Sequence, residues 1–383
     1  MKQLVLMGAG HAHAQVLLDW ARAPVPGVQV VVVSPQALAP YSGMVPGWLA
    51  GAYRFEEIVI NFPALCARAG ARWVAAELQS LDAPRRRVRL STGEELPYDL
   101  LSLNVGSTLD EPVCPGATVL PLRPLSALHT RYGALLQTWA DSAAPAAGTA
   151  LQVTAVGGGA AGFESLLAVL ARLRSLQPGR EITARLVSRG AQLLPGIAPA
   201  ARRAAWAALQ RAGVQVQLGQ GWPLGEADAR TDLLLWATGA QAQAWQRDPQ
   251  RRGALAVDEA GFVRVDAQLR SVSHPQVLAV GDCAAWGQPL PKAGVYAVRM
   301  GPVLTQNLRA ALGQGEPRRY TPQHHFLALL ATADGRAIAS RGRFGLEGAW
   351  AWRWKDRIDR GFIRRFAATG PASTPLVHPG DPA

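Results

Sequence analysis

Residues 151–176 constrain the fold of this chain more than any other stretch. An apolar run, Leu151–Val156, leads directly into Gly157-Gly158-Gly159-Ala160-Ala161-Gly162-Phe163-Glu164, and a helical pattern then runs to about Leu176. The first glycine of such a strand-to-helix turn lets the chain reverse. The second lets backbone approach a pyrophosphate, and the third lets helix and strand pack closely. The segment therefore reads as a dinucleotide-binding unit, with Gly157, Gly159, Gly162 and Glu164 as candidate cofactor residues. The next strand, Ile182–Val187, ends at Ser188-Arg189. An acid there would hold a free ribose 2′-hydroxyl, whereas Ser188 and Arg189 suit a 2′-phosphate. That leans toward NADPH, with a solvent-facing Arg189 as the alternative. The unit closes on residues 232–239, DLLLWATG, ending at Gly239.

The same plan opens the chain. Residues 3–7 form a buried-strand pattern, Gly8-Ala9-Gly10-His11-Ala12-His13 follows, and a helical run extends from Ala14 to about Arg22. Gly8 and Gly10 hold their places, but His13 replaces the third glycine, so looser helix–strand packing is expected. For His11 and His13, packing or a phosphate-side hydrogen bond is preferred over catalysis. The second strand, Val28–Val33, ends at Ser34, a weaker ribose partner than an acid. Pro40–Gly47 reads as a loop entering a helix; it offers Tyr41 and Ser42 and holds no cysteine pair for dithiol chemistry. Trp73–Leu81 and Arg87–Leu90 read as a meander. Residues 98–107 then repeat the strand-to-glycine ending, at Gly106. The two halves are an internal duplication.

Gln276–Leu308 returns to the first unit. Strand Val277–Val280 turns at Gly281-Asp282-Cys283, and a loop ends in Pro291-Lys292-Ala293-Gly294 before a helix from Val295 to about Leu308. Gly281 allows close approach, and Asp282 can accept from a sugar or ribityl hydroxyl. The helix start at Ala293 and Gly294 offers free N–H groups to a group that becomes anionic. The only lysines are Lys2, Lys292 and Lys355. In a chain that otherwise uses arginine, Lys292 is a candidate catalytic ammonium, with an incidental surface lysine as the alternative.

Composition bounds the rest. A chain of 383 residues with 49% hydrophobic and 17% charged residues is globular and long enough for two or three domains. No apolar run reaches membrane-spanning length, and the first strand starts directly after Met1, so no signal peptide and a cytoplasmic location are expected. Cys66, Cys114 and Cys283 have no metal spacing, so no metal site is expected. The net charge of +12 comes with no nucleic-acid-binding signature. Residues 141–149 look like a linker, and the tail from Gly370 is Pro-rich. Tyr320–Arg343 reads as strands turning at residues 333–336. Trp350–Phe366 reads as a helix with Trp350, Trp354, Ile358, Phe362 and Phe366 on one apolar face and arginines opposite. Docking on its own domain is preferred for that helix, and peripheral contact with the inner membrane face is the second reading.

The glycine loops, Pro40-Tyr41-Ser42-Gly43-Met44, Gly281-Asp282-Cys283, residues 291–297 (PKAGVYA) and residues 354–360 (WKDRIDR) resemble the two-dinucleotide-binding-domain flavoproteins over residues 1–320. The chain is most similar to type II NADH dehydrogenases and the NADH-dehydrogenase-like flavoprotein domain associated with selenide water dikinase. The resemblance implies an α/β chain with two Rossmann-like FAD/NAD(P)-binding domains and a smaller α+β C-terminal domain. The expected division is 1–115 and 256–318 for FAD, 116–255 for NAD(P)H, and 319–383 for the C-terminal domain. Gly8, Gly10 and Ser34 would flank the FAD adenosine diphosphate, Asp282 would hold the ribityl chain, and Ala293 and Gly294 would face the ring. Electrons would pass from NAD(P)H to a small acceptor, by resemblance a quinone. A sulfide- or selenide-handling flavoprotein and a low-turnover sensor are the alternatives, and a homodimer is left open.

Overall fold

The computed structural model describes residues 1–141, 150–223, 230–288, 290–323 and 326–367. The linker beyond Asp141 and the tail from Gly370 lie outside them.

The chain builds two five-stranded sheets. The first runs Val277–Ala279, Leu100–Leu103, Lys2–Met7, Val28–Val33, Arg72–Val74, with every neighbour parallel. The second runs Thr118–Pro121, Leu233–Trp236, Leu151–Val156, Ile182–Ser188, Val214–Leu218, again all parallel. In both, the strand before the glycine loop is central. It lies between the strand that follows its helix and the strand that closes the unit. Parallel neighbours require a crossover, supplied by His11–Arg22 in the first unit and Ala160–Leu176 in the second. Sheets covered on both faces bury whole strands, which is why Leu4, Val5 and Leu6 read as an unbroken apolar run. This is the doubly wound α/β architecture expected from the sequence.

The expected meander is divided. Arg72–Val74 completes the edge of the first parallel sheet, and a separate antiparallel sheet comprises Leu78–Asp82, Arg87–Leu90 and Glu95–Pro97. A three-residue strand carries too little alternation to announce which sheet it joins.

The third unit is an antiparallel sheet of Ala328–Ala331, Ala337–Arg341 and Phe344–Gly348. One face meets helix Pro199–Arg211: a side chain at Gly345 would collide with Ala201, and Ser340 Oγ accepts from the Ala198 N–H at 3.2 Å. The other face carries Ala337 and Ala339 against Ala351 of helix Ala349–Arg364.

That last helix corrects the sequence reading. The buried positions on it are Ala351, Lys355 and Asp359, while Trp350, Trp354 and Ile358 are 45%, 42% and 43% exposed. Phe362 is half-buried and Phe366 is buried. Residues four apart on a helix drift by about 40° per step, so the five positions rotate through about 160° and cannot share one face. The stripe begins in solvent and ends in the core.

Candidate functional site

The site starts at the two glycine loops. In the second, a side chain on Gly157 would strike the Ala237 carbonyl, and one on Gly162 would strike the Gly157 carbonyl. Helix and closing strand thus pack to backbone contact. Gly159 faces open space, and the helix it begins has no side-chain cap. Its free N–H groups and positive dipole end suit a pyrophosphate. Gly239, three residues past the closing strand Leu233–Trp236, also borders open space.

In the first loop, Asn104 sits where side chains at Gly8 and Gly10 would have to go. Its Oδ1 accepts from the Ala12 and His13 N–H groups at 3.2 and 3.4 Å, and its Nδ2 donates to the Val280 carbonyl at 3.1 Å. Asn104 therefore caps the first helix and ties it to the returning strand. His13 stands in the third-glycine position as a fully buried cross-link. Its Nδ1 is 2.7 Å from the Gly8 carbonyl and its Nε2 is 2.8 Å from Ser102 Oγ. Burial lowers its pKa to about 4, so the ring is neutral at pH 7. His13 thus packs between the glycine loop and the closing strand of its sheet.

His11 differs. Its Nε2 is buried without a hydrogen-bond partner among the described residues, its ring meets the Tyr41 ring edge-on at 5.5 Å, and burial lowers its pKa to about 4 despite Asp282 nearby. Tyr41 stacks on Phe362 at 4.4 Å, and burial together with Asp359 raises its phenol pKa. Ser42 Oγ lies where a side chain at Gly294 would project, and the Gly294–Ala311 helix starts at Ala293 without a side-chain cap. Ser34 is buried, its hydroxyl only 3.4 Å from the Gln36 carbonyl. Gly106 borders open space, while Gly281 lies against Asn104 Nδ2.

Asp282 is held from the second sheet. Arg123, two residues past strand Thr118–Pro121, pairs through Nη1 with Asp282 and Ser107 Oγ, and its Nη2 donates to the Lys292 carbonyl at 2.9 Å. Lys292 Nζ donates to the Ala284 carbonyl at 2.7 Å and lies 3.7 Å from the Phe262 ring centre; burial lowers its pKa. Glu164 reaches the third unit, where its Oε1 accepts from the Ala331 N–H at 2.7 Å. Burial pushes its pKa up to about 7, with Lys355 opposing. Lys355 Nζ donates to Asp359 Oδ2 at 2.8 Å and to the Gly43 carbonyl at 2.6 Å. Sequence reasoning passed over Asn104 and Arg123 as site residues, and it did not foresee the buried Lys355–Asp359 pair. Asn104 and Arg123 have no local signal, because each acts on partners far along the chain; the Lys355–Asp359 spacing is local, and what the sequence does not carry is its burial.

These residues fit FAD and NAD(P)H. One uncapped helix start lies at the open Gly159 turn and a second begins at Ala293, a carboxylate stands at the Gly281-Asp282 turn, and the His11 Nε2 has no hydrogen-bond partner among the described residues.

The family model for pyridine nucleotide-disulphide oxidoreductases matches residues 2–301, and the chain belongs to that family, whose members pair FAD with NAD(P)H. An NADH dehydrogenase-like protein of Mycobacterium tuberculosis is 30% identical over 232 residues, covering 57% of this chain and 56% of that protein. The chain thus spans about half the length of the curated relative. Two solved structures share the fold: sulfide:quinone oxidoreductase of Aquifex aeolicus (TM-score 0.75, 15% identity, 96% of this chain and 91% of that one) and NDH2 of Plasmodium falciparum (TM-score 0.72, 13% identity, 95% and 97%). The family name includes a disulphide. Here Cys66 and Cys283 are buried with thiol pKa values pushed up to about 12 and about 11 by burial, and all three cysteines are unpaired.

Proposed function

We propose that the chain is an NAD(P)H dehydrogenase that passes two electrons to a small acceptor of the quinone type. The observation that carries this reading is the Arg123–Asp282 pair, which joins the second nucleotide unit to the carboxylate of the first. Two sites joined at one carboxylate suit transfer between two bound nucleotides. FAD, when bound, would supply the chemistry that accepts a hydride and returns electrons. The chain would hold it by Gly8, Gly10, Asp282 and the Ala293–Gly294 helix start, and the nicotinamide nucleotide by Gly157–Gly162 and Gly239. Lys292 would act through its field and not by contact, since its ammonium is bonded to Ala284. The domain division at 115, 255 and 318 follows sheet membership on this reading.

Two features favour a flat, lipid-soluble acceptor. His11, Tyr41 and Phe362 form an aromatic cluster beside the Ser42–Gly294 contact. The helix carrying Phe362 also carries exposed Trp350, Trp354 and Ile358. Leu346 and Phe344 extend that apolar surface, because they stand opposite Ala339 and Arg341 on the sheet face that the helix covers. Arg353 and Arg357 border it. Apolar and aromatic side chains rimmed by arginine suit the headgroup region of an anionic membrane. No helix among the described residues is long and apolar enough to cross a membrane.

The test is anaerobic stopped-flow reduction of the yellow protein by NADPH and by NADH, followed by mixing with a short-chain quinone. Fast bleaching and fast reoxidation are expected. Bleaching by sulfide alone, or slow bleaching by every donor, would overturn the proposal.

A further inference from the structure

The nucleotide site of the second sheet carries charge that a plain NADH site would not need. From Ile182 to Gly225 the chain contains five arginines and no Asp or Glu; Arg211 is paired with Asp334 and Glu347 and Arg185 is bonded to Thr154 and the Arg230 carbonyl, which leaves Arg189, Arg202 and Arg203. This span holds the strand end, the loop and the helix that follow the glycine loop. Ser188 ends the strand, and a side chain added at Gly158 would come 2.8 Å from its Oγ, so its hydroxyl lies against the loop itself. That Oγ also accepts from the Gly190 N–H at 3.2 Å, which turns the chain and sets Arg189 at the corner. The Arg189 stem runs along Gly221, 3.6 Å from where a Cβ would sit. Among the described residues, no carboxylate or hydrogen-bond acceptor engages its guanidinium. The Leu194 N–H donates to the Gly158 carbonyl at 2.7 Å, folding residues 190–194 over the loop, and Arg202 joins this flap through Gln192 Oε1 at 2.6 Å.

We infer that this corner selects a nucleotide bearing a 2′-phosphate, so that the donor is NADPH and not NADH. Arg189 would pair with the phosphate, the Ser188 hydroxyl would bond to it, and Arg202 would add a second positive charge. A carboxylate in the Ser188 position would accept from a 2′-hydroxyl and repel a phosphate. Serine removes that repulsion, and the planar guanidinium next to it supplies paired donors matched to phosphate oxygens. The inference rests on the reading of Gly157–Gly162 as the nicotinamide nucleotide site.

The experiment is calorimetric titration of the FAD-loaded full chain with adenosine 2′,5′-bisphosphate and, separately, with adenosine 5′-diphosphate. Neither probe carries a nicotinamide, so binding is read without turnover. The bisphosphate should bind at least about tenfold more tightly, as charge-assisted bonds to a phosphate require, with the advantage shrinking at high salt. Arg189→Gln should remove most of that ratio, and Ser188→Asp should invert it. Arg189 is exposed, so its replacement leaves the fold intact. Equal binding of the two probes, or an unchanged ratio in Arg189→Gln, would overturn the inference and leave the donor site standing. Failure of both probes to bind the FAD-loaded chain would overturn the inference and the donor site together.

Discussion

Removing the Lys355 ammonium is the sharpest perturbation the structure offers. Lys355 and Asp359 have side chains only 7% and 6% exposed and form an ion pair at 2.8 Å. At an effective dielectric of about 20, their attraction is worth about 6 kcal/mol. Desolvating the two ions costs several kcal/mol each, so forming the pair comes close to breaking even. Breaking it does not. Lys355→Met leaves the Asp359 carboxylate buried beside the Tyr41 phenol and near Glu164, and it strips the Gly43 carbonyl of its donor. The expected loss is about 3–5 kcal/mol. The double variant Lys355→Met/Asp359→Leu buries no charge and should recover part of it, losing chiefly the bonds to Gly43 and to the Tyr41 phenol, about 1 kcal/mol each. The assay is urea unfolding of parent, single and double variants at equal FAD saturation. Flavin release and far-UV circular dichroism are followed together, so that any uncoupling of units is seen. A single variant within 1 kcal/mol of the parent would refute the reasoning, as would a double variant no more stable than the single.

Replacing Asp282 with Ala should lower bound FAD and leave Arg123 without its carboxylate; unchanged flavin content, read from the ratio of visible to protein absorbance, would remove Asp282 from the site. Glu164 gives a pH signature. Its pKa rises from 4.5 to about 7 in the fold, so the folded chain holds this proton more tightly than the unfolded chain. The stabilisation is complete below pH 4.5 and is lost as pH rises through 7, by at most about 3 kcal/mol. Glu164→Gln should flatten that part of the stability profile, and a profile unchanged in the variant would count against it. Trp354→Glu should weaken sedimentation with anionic vesicles at least several-fold without altering flavin reduction. A triple Cys→Ser variant should keep full activity, whereas its loss would revive sulfur chemistry.

What could be read in the sequence was what is local in sequence. Each glycine loop is a strand, a turn and a helix in one run, so Gly157, Gly159 and Gly162 announced a sheet and a phosphate site at once. Asp282 was readable because its turn follows an apolar strand directly. The partners that complete the site were not. Arg123 lies 159 positions from Asp282, and Lys355 lies 312 positions from Gly43. Neither contact is one that periodicity could flag, because an ion pair or hydrogen bond across units depends on the register of both. His13 shows the same limit. Its replacement of a glycine was visible, but its bond to Ser102, 89 positions away, was not. The C-terminal helix failed for another reason: its five aromatic and aliphatic positions were treated as one face, although the helical period separates them.

The loop of Tyr41, Ser42 and Gly43 has a consequence for how the units work together. Its three residues are held by three different parts of the chain. Tyr41 stacks on Phe362 and meets the His11 ring edge-on, Ser42 abuts Gly294 at the start of the Gly294–Ala311 helix, and Gly43 accepts from Lys355. A loop so held is as ordered as its least stable support. Here that support is the C-terminal helix, whose outer face is in solvent and whose inner face is tied by Lys355 to Gly43, by Asp356 and Trp352 to Tyr53, by Arg360 to Glu57, and by Ala351 and two phenylalanines. Displacing this helix releases Tyr41 and Gly43 together. The Lys355→Met variant should therefore lose flavin in step with the C-terminal helix and ahead of the two parallel sheets.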